Sequence, residues 1–211
     1  MVLFQKQTTQ VKGKCLKKQI NFIFLLLFFL AILFSESLVG KEKELDSKII
    51  TYFQGLNSFS SKFIQSNGKY LEQGRIFIKN DIIRLDYNTP DRTLKISKKK
   101  GVYINHELRE EEFFSTKKNI IKIFYDIFLE NNFLSSFSSK EGKKEIVFEK
   151  IIVSESDKVH LKIFFENSPL LLRKIISKTE NDLISISFYD HNYNSVFKED
   201  FFSFVPIYLY W

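Results

Sequence analysis

Cysteine is almost missing from this sequence: Cys15 is the single copy among 211 residues. A chain with one thiol builds no internal disulfide and no cysteine cage for a metal. Glycine and proline are scarce too, with seven and three copies, which leaves no room for a flexible or proline-rich linker. The histidines His106, His160 and His191 stand singly and lack the paired spacing of metal ligands. No G-x-S-x-G, H-E-x-x-H, phosphate-binding loop or dinucleotide fingerprint occurs. The acidic run Glu110 to Glu112 reads as a solvated turn or edge and Lys98 to Lys100 as a hairpin tip. No metal, no cofactor and no enzyme activity are therefore expected.

What the sequence does have begins with a basic N-terminal stretch, Lys6, Lys12, Lys14, Lys17 and Lys18, ahead of an apolar run from Ile20 to Phe34 that only Asn21 interrupts. Ser35, Glu36 and Ser37 end the run. A positive flank, an apolar stretch of roughly 7 to 15 residues and small residues at the cut make a secretory signal. A complete membrane span needs about 20 apolar residues, so a cleaved signal peptide over 1–40, cut near 37–40, is expected, with a retained N-terminal anchor as the alternative. Five lysines and one glutamate precede Lys41, so +4 of the formal +7 belongs to the signal and +3 remains for 41–211. That mild excess gives no footprint for nucleic acid. Cys15 lies before the apolar run, where signal cleavage would not expose it for acylation. A periplasmic protein without a lipid anchor is expected, forming one domain over 41–211.

Along that domain the period of the apolar residues changes twice. Leu45, Ile49, Tyr52, Phe53 and Leu56 recur at helical spacing over 43–56. Alternation then predicts strands at 58–65, 70–79, 82–87, 93–97, 102–105 and 108–114, with Ile83, Leu85 and Tyr87 on one face and Arg84 and Asp86 on the other. A second helix is predicted over 117–129, where Ile120, Ile123, Phe124, Ile127 and Phe128 make a broad apolar face. Further strands are predicted at 146–153, 159–165, 170–177, 183–189 and 196–205. Helix, hairpins, helix and hairpins describe an α+β fold with an antiparallel sheet. So many strands with two helices predict a sheet curled into a barrel or half-barrel, its open side covered by helix. Twenty-four Phe residues exceed what a core of this size requires and suit either an overpacked core or a cavity lining.

Several segments carry a resemblance in a consistent order. They are Phe59 to Gln65 (FSSKFIQ), Gly74 with Ile76 and Ile78, Ile83 to Pro90 (IRLDYNTP), Pro169 to Arg173 (PLLLR), Ile184 to Phe188 (ISISF) and Phe202 to Pro206 (FSFVP). Together they resemble the LolA family of periplasmic carriers of outer-membrane lipoproteins, over nearly the whole chain after the signal. The resemblance implies an incomplete, half-open antiparallel β-barrel with helices covering an apolar cavity. It also implies a monomeric chaperone whose partners are acylated lipoproteins, an inner-membrane ABC transporter that releases them and an outer-membrane acceptor. Where that family has an Arg-Pro pair, whose Arg helps hold the lid, this chain has Lys79, Asn80 and Asp81, so Lys79 is the candidate for lid control. Leu85 stands where that family often has an aromatic residue.

The candidate lipid-binding residues are Ile76, Ile78, Ile83, Leu85, Tyr87, Leu94 and Ile96 on the sheet, with Ile123, Ile127 and Phe128 on the helix. On this reading Ile83→Glu is expected to spare the fold and impair cargo handling. Two rivals stand beside the carrier: a periplasmic sensor or regulatory binding protein on the same half-barrel, and an envelope hydrolase working through carboxylates that the sequence does not pair.

Overall fold

The computed structural model describes residues 44–45, 47–117, 120–130, 132–153 and 158–208. The signal segment expected at 1–40 lies outside the described residues. The chain divides into two compact units, Met1–Lys48 and Ile49–Trp211. In the first unit, residues 44, 45, 47 and 48 are helical, and Lys48 pairs with Glu44 one turn away at 2.9 Å. No helix among the described residues is long and apolar enough to cross a membrane.

The second unit opens with helical residues 49–54 (α1). Six strands follow: β1 (Phe59–Ser66), β2 (Leu71–Lys79), β3 (Ile82–Tyr87), β4 (Arg92–Ile96), β5 (Lys100–Asn105) and β6 (Glu110–Ser115). Helix α2 (Ile120–Leu129) and a short 3-10 turn (Leu134–Ser136) lead to five more strands. These are β7 (Ser138–Glu141), β8 (Glu145–Val153), β9 (Lys158–Asn167), β10 (Leu170–Lys178) and β11 (Leu183–Asn192). All eleven belong to one antiparallel sheet in the order β6-β5-β4-β3-β2-β1-β11-β10-β9-β8-β7. The sheet is open, with β6 and β7 as its edges, and both edges are blunted by polar and charged residues, EEE in β6 and SSKE in β7.

Alternation builds one apolar face. Phe59, Ser61 and Phe63 of β1 are buried, as are Ile83 and Leu85 of β3 and Val159, Leu161, Ile163 and Phe165 of β9. Turn chemistry sets the register where loops are short. Asn80 and Asp81 both take positive φ, 48° and 61°, between the paired residues Lys79 and Ile82, so the two-residue β2–β3 loop matches the strand twist.

Two bulges bend the sheet. Ser60 pairs with Asn192 and Lys62 with Tyr189, so Asp190 and His191 together face Ser61, and Asp190 holds φ 53°. In β10, Arg173 is the extra residue between Leu172 and Lys174, whose partners Phe165 and Phe164 are adjacent. Side chains satisfy backbone groups at both bulges: His191 Nε2 lies 3.0 Å from Leu172 O, His191 Nδ1 2.9 Å from Ser61 Oγ, and Ser61 Oγ 2.7 Å from Tyr189 O.

Two expectations change. The strand predicted at 196–205 is absent: residues 193–208 form turns and irregular backbone. Their polar groups are satisfied by side chains in place of a ladder. Arg84 Nη1 donates to Phe201 O at 2.7 Å, Lys95 Nζ to Ser203 O at 2.6 Å, and a Glu111 carboxylate oxygen accepts from the amides of Ile207 and Tyr208 at 2.5 and 3.1 Å. Phe201 packs on Phe77 with centroids 5.0 Å apart and under the Arg84 guanidinium at 4.0 Å. Phe197, Phe201, Phe202 and Phe204 do not keep a period of two, so the segment lies down as an aromatic strap on β2 to β5. The second change is β7, which the sequence leaves as polar loop because all four of its residues are exposed and nothing alternates.

Gly74 makes room in the middle of β2. A Cβ there would lie 2.2 Å from Asp86 O and 2.8 Å from the Phe63 ring, which is fully buried and meets Tyr87 edge-on at 5.2 Å. Gly74→Ala is expected to cost about 1–3 kcal/mol of stability, read by urea unfolding, and an unchanged midpoint would contradict that packing. A second expectation concerns pH. Desolvation holds His191 below its ordinary value of 6.5, so the unfolded chain binds the proton first as pH falls and stability rises with pH through the window just below 6.5. His191→Gln should flatten the decline of the melting temperature between pH 7 and pH 5, and an identical decline in both proteins would remove His191 from the account.

Candidate functional site

Helix α2 is apolar around most of its circumference, IIKIFYDIFL, with Lys122 and Asp126 as its charged residues. These two pair across one turn at 2.5 Å. A helix this apolar has more surface to bury than one stripe, and it uses two. Tyr125, Ile127 and Phe128 are buried, with Phe128 meeting Phe53, Phe124 and Phe188 at centroid distances of 6.2, 5.1 and 5.9 Å. Ile121, Ile123 and Phe124 are half-buried and Ile120 is exposed. These four line a cavity between the helix and the apolar face of the sheet, with Ile127 at its inner side.

The cavity has a volume of about 220 Å³. Its walls come from both halves of the sheet: Leu85, Tyr87, Leu94 and Ile96 from β3 and β4, Gln65 from β1, and Leu161, Ile175, Ser177, Ile184 and Ile186 from β9 to β11. Gln65, Tyr87 and Ser177 are its polar side chains; the rest are aliphatic or Phe. The Tyr87 hydroxyl donates to Gln65 Oε1 at 3.2 Å, Gln65 Nε2 donates to Glu72 Oε2 at 3.4 Å, and Arg92 bridges to Glu72 while its guanidinium lies 4.3 Å from the Tyr87 ring centroid. Burial pushes the Tyr87 hydroxyl up to about 12, so it stays a donor at any physiological pH. Such a wall offers dispersion contacts and burial of apolar surface to a guest, with few directional bonds.

Of the ten residues singled out from the sequence, Leu85, Tyr87, Leu94, Ile96, Ile123 and Ile127 meet at the cavity. Ile76, Ile78, Ile83 and Phe128 lie away from its wall, in the core, at 0 to 1% exposure. Lys79 ends β2 beside the Asn80–Asp81 turn, half-buried, with no ion pair or side-chain hydrogen bond among the described residues. The sequence reading missed the wall supplied by β9 to β11. Its signal was present as period-two alternation, Ile175 with Ser177 and Ile184 with Ile186, but nothing in sequence places those strands opposite β3 and β4. Among the described residues no group of three or more His, Cys, Asp or Glu could hold a metal ion.

No family model matches the chain and no curated protein is found to match it. Solved structures do match. The crystal structure of an uncharacterized conserved protein from Thermus thermophilus shares 6% identity over 74% of this chain and 91% of its own, with a TM-score of 0.48. The complex structure of Pseudomonas aeruginosa MucA/MucB matches over 74% of this chain and 59% of that one, at 10% identity and a TM-score of 0.44. The crystal structure of MucB in complex with MucA(peri) gives 13% identity over 74% and 57% of the two chains, with a TM-score of 0.36. These likenesses are distant, and the functional reading below rests on the cavity.

The placement of Ile83 reverses one expectation. At 0% exposure and off the cavity wall, a glutamate there would bury an unpaired carboxylate in the core, so Ile83→Glu is expected to destabilise the fold and not to report on cargo. Ile123→Glu, at a half-buried site facing the cavity, is expected to keep a cooperative melt within a few degrees of wild type. Equal losses of melting temperature in the two variants would mean that the two positions share one environment.

Proposed function

We propose that this chain is a non-enzymatic carrier of acyl chains in the bacterial envelope. It is exported by the segment at 1–40. In the periplasm it takes the acyl chains of lipoproteins released from the inner membrane by an ABC transporter and delivers them to an outer-membrane acceptor. On this reading the bent sheet is an incomplete β-barrel and α2 is its cover. The observation that carries the proposal is the cavity itself, walled by aliphatic side chains from α2 and from both halves of the sheet, with polar side chains at three positions.

Acyl chains gain about 0.8 kcal/mol per CH2 removed from water, so a lipoprotein crosses an aqueous space only with its chains covered. A carrier must also let go, and a wall that binds by burial alone releases its guest to any larger apolar phase. The cavity volume of about 220 Å³ falls below the roughly 300–1,000 Å³ of ordinary small-molecule sites. As it stands it holds part of one chain, and a multiply acylated cargo requires α2 to move outward. The ion pair that ties the end of α2 to the β4–β5 turn, Lys98 to Glu130 at 2.7 Å, is exposed and contributes little. That suits a cover that must shift.

The test is release of a lipoprotein from inner-membrane vesicles, with native mass spectrometry of the protein recovered. Wild type is expected to appear in solution with acylated cargo bound, and Ile123→Glu to remain empty while folded. An empty wild-type protein in the presence of lipoprotein would overturn the reading. Binding of acylated peptide without transfer between membranes would favour a sensor on the same fold.

A further inference from the structure

The two ends of the sheet differ in what they expose. Antiparallel order sends successive turns to opposite ends, so the turns β1–β2, β3–β4, β5–β6, β8–β9 and β10–β11 share one end. Four of these five bring exposed apolar side chains there: Tyr70 and Leu71, Leu108, Val153, and Leu183, at 48 to 77% exposure. The turns at the other end, over 80–81, 97–99, 142–144 and 168–169, are polar, charged or proline-containing and expose no large apolar side chain.

The cavity reaches the apolar end. Gln65, Tyr87, Ser177 and Ile184 line it, each the last or next-to-last residue of its strand at that end, and all four are half-buried. Ile96, which ends β4 at the other end, and Ile127 close the cavity there at 1 and 2% exposure. Leu71 and Leu183 stand just outside the half-buried end: Leu71 pairs with Ser66, and Ser66 pairs with Ser185, two residues from Leu183.

The spacing of the tips says what they fit. Neighbouring turns at one end lie two strands, or about 10 Å, apart, and charged residues such as Lys69, Glu107, Lys178 and Glu180 stand between the apolar tips. A protein partner is held by one continuous patch with a desolvated centre. Separate apolar points along a rim, one of them a tyrosine, fit a phase that each side chain enters alone, as at a bilayer surface. No turn at this end carries more cations than acids, so nothing there draws an anionic surface. The contact rests on the apolar tips.

We propose that this end of the sheet docks on a zwitterionic phospholipid bilayer through Tyr70, Leu71 and Leu183, with Leu108 and Val153 as outer contacts. Docking sets the half-buried end of the cavity against the headgroup layer, and an acyl chain passes between the tips without exposing its length to water. The inference rests on the carrier reading and adds to it the surface from which the cargo is taken.

The experiment sediments the protein recovered from the periplasm with dioleoylphosphatidylcholine vesicles. It compares wild type with Leu71→Ser/Leu183→Ser and with Val196→Ser/Val205→Ser, which removes exposed apolar side chains from the strap. Wild type and the strap variant are expected to bind alike, and the Leu71→Ser/Leu183→Ser protein about tenfold or more weakly, at low and high salt equally. Displacement of a fluorescent apolar dye by methyl laurate, without vesicles, is expected to be the same in all three. No vesicle binding by wild type, an equal loss in the strap variant, or binding that requires anionic lipid overturns the docking end. Binding to inner-membrane vesicles that protease treatment abolishes, with none to lipid alone, gives the end to a membrane protein and overturns it too. In each of these cases the carrier reading stands as long as methyl laurate binds. Failure of methyl laurate to bind wild type defeats the carrier reading, and vesicle binding that still depends on Leu71 and Leu183 would leave the docking end in place.

Discussion

The pairing of β1 with β11 is the contact on which everything else depends. Within each half of the sheet, neighbours in space are neighbours in sequence, β1 to β6 on one side and β7 to β11 on the other. Local hairpins can form those halves unaided, but neither half encloses anything. Joining Ser60–Ser66 to Ser185–Asn192 closes more than a hundred residues of chain into one sheet, an entropic cost that only a large buried face offsets. The seam is reinforced where its ladder is disturbed, with Ser61, His191 and the Leu172 carbonyl linked at the Asp190–His191 bulge. That bulge also bends the sheet, so that β3 and β4 share a cavity with β9 to β11.

With both walls in place, α2 lines one cavity with them. Its apolar surface divides between a firmly packed part, Phe128 among Phe53, Phe124 and Phe188, and a looser part facing the cavity. Core residues such as Ile76, Ile78 and Ile83 are packed inside the sheet's apolar layer, and half-buried Leu94 and Ile123 line the cavity. The opposite face of β2 to β5 is closed by the aromatic strap at 193–208, anchored by Arg84 and the buried Lys95. One face of that half of the sheet is thus packed against the strap, and the other borders the cavity.

Much of this was legible in the sequence. Alternation located ten of the eleven strands, because half-buried strands keep a period of two. The broad apolar face of α2 announced a helix with two things to touch. What was not legible follows from the same physics. An edge strand such as β7 is exposed on every side and has no alternation to read. Four Phe residues in 197–204 look strand-like in composition, yet their spacing serves a strap whose carbonyls meet Arg84 and Lys95. Ile83 and Leu94 read alike in sequence, since a period of two reports the face of a strand but not the depth along it. Gln65 and Ser177 passed for ordinary polar strand ends, and only the pairing of β1 with β11 and of β10 with β11 puts them on one wall.

The central claim is that an acyl chain occupies the space between α2 and the bent sheet, and methyl NMR of isoleucine-labelled protein titrated with a monoacyl ligand reads this residue by residue. The account predicts that Ile121, Ile123, Ile127, Ile175, Ile184 and Ile186 shift on saturation, with Ile76, Ile78 and Ile83 much less affected and the exposed Ile151 and Ile207 unmoved. Shifts confined to Ile151 and Ile207, or none at saturating ligand, would contradict it.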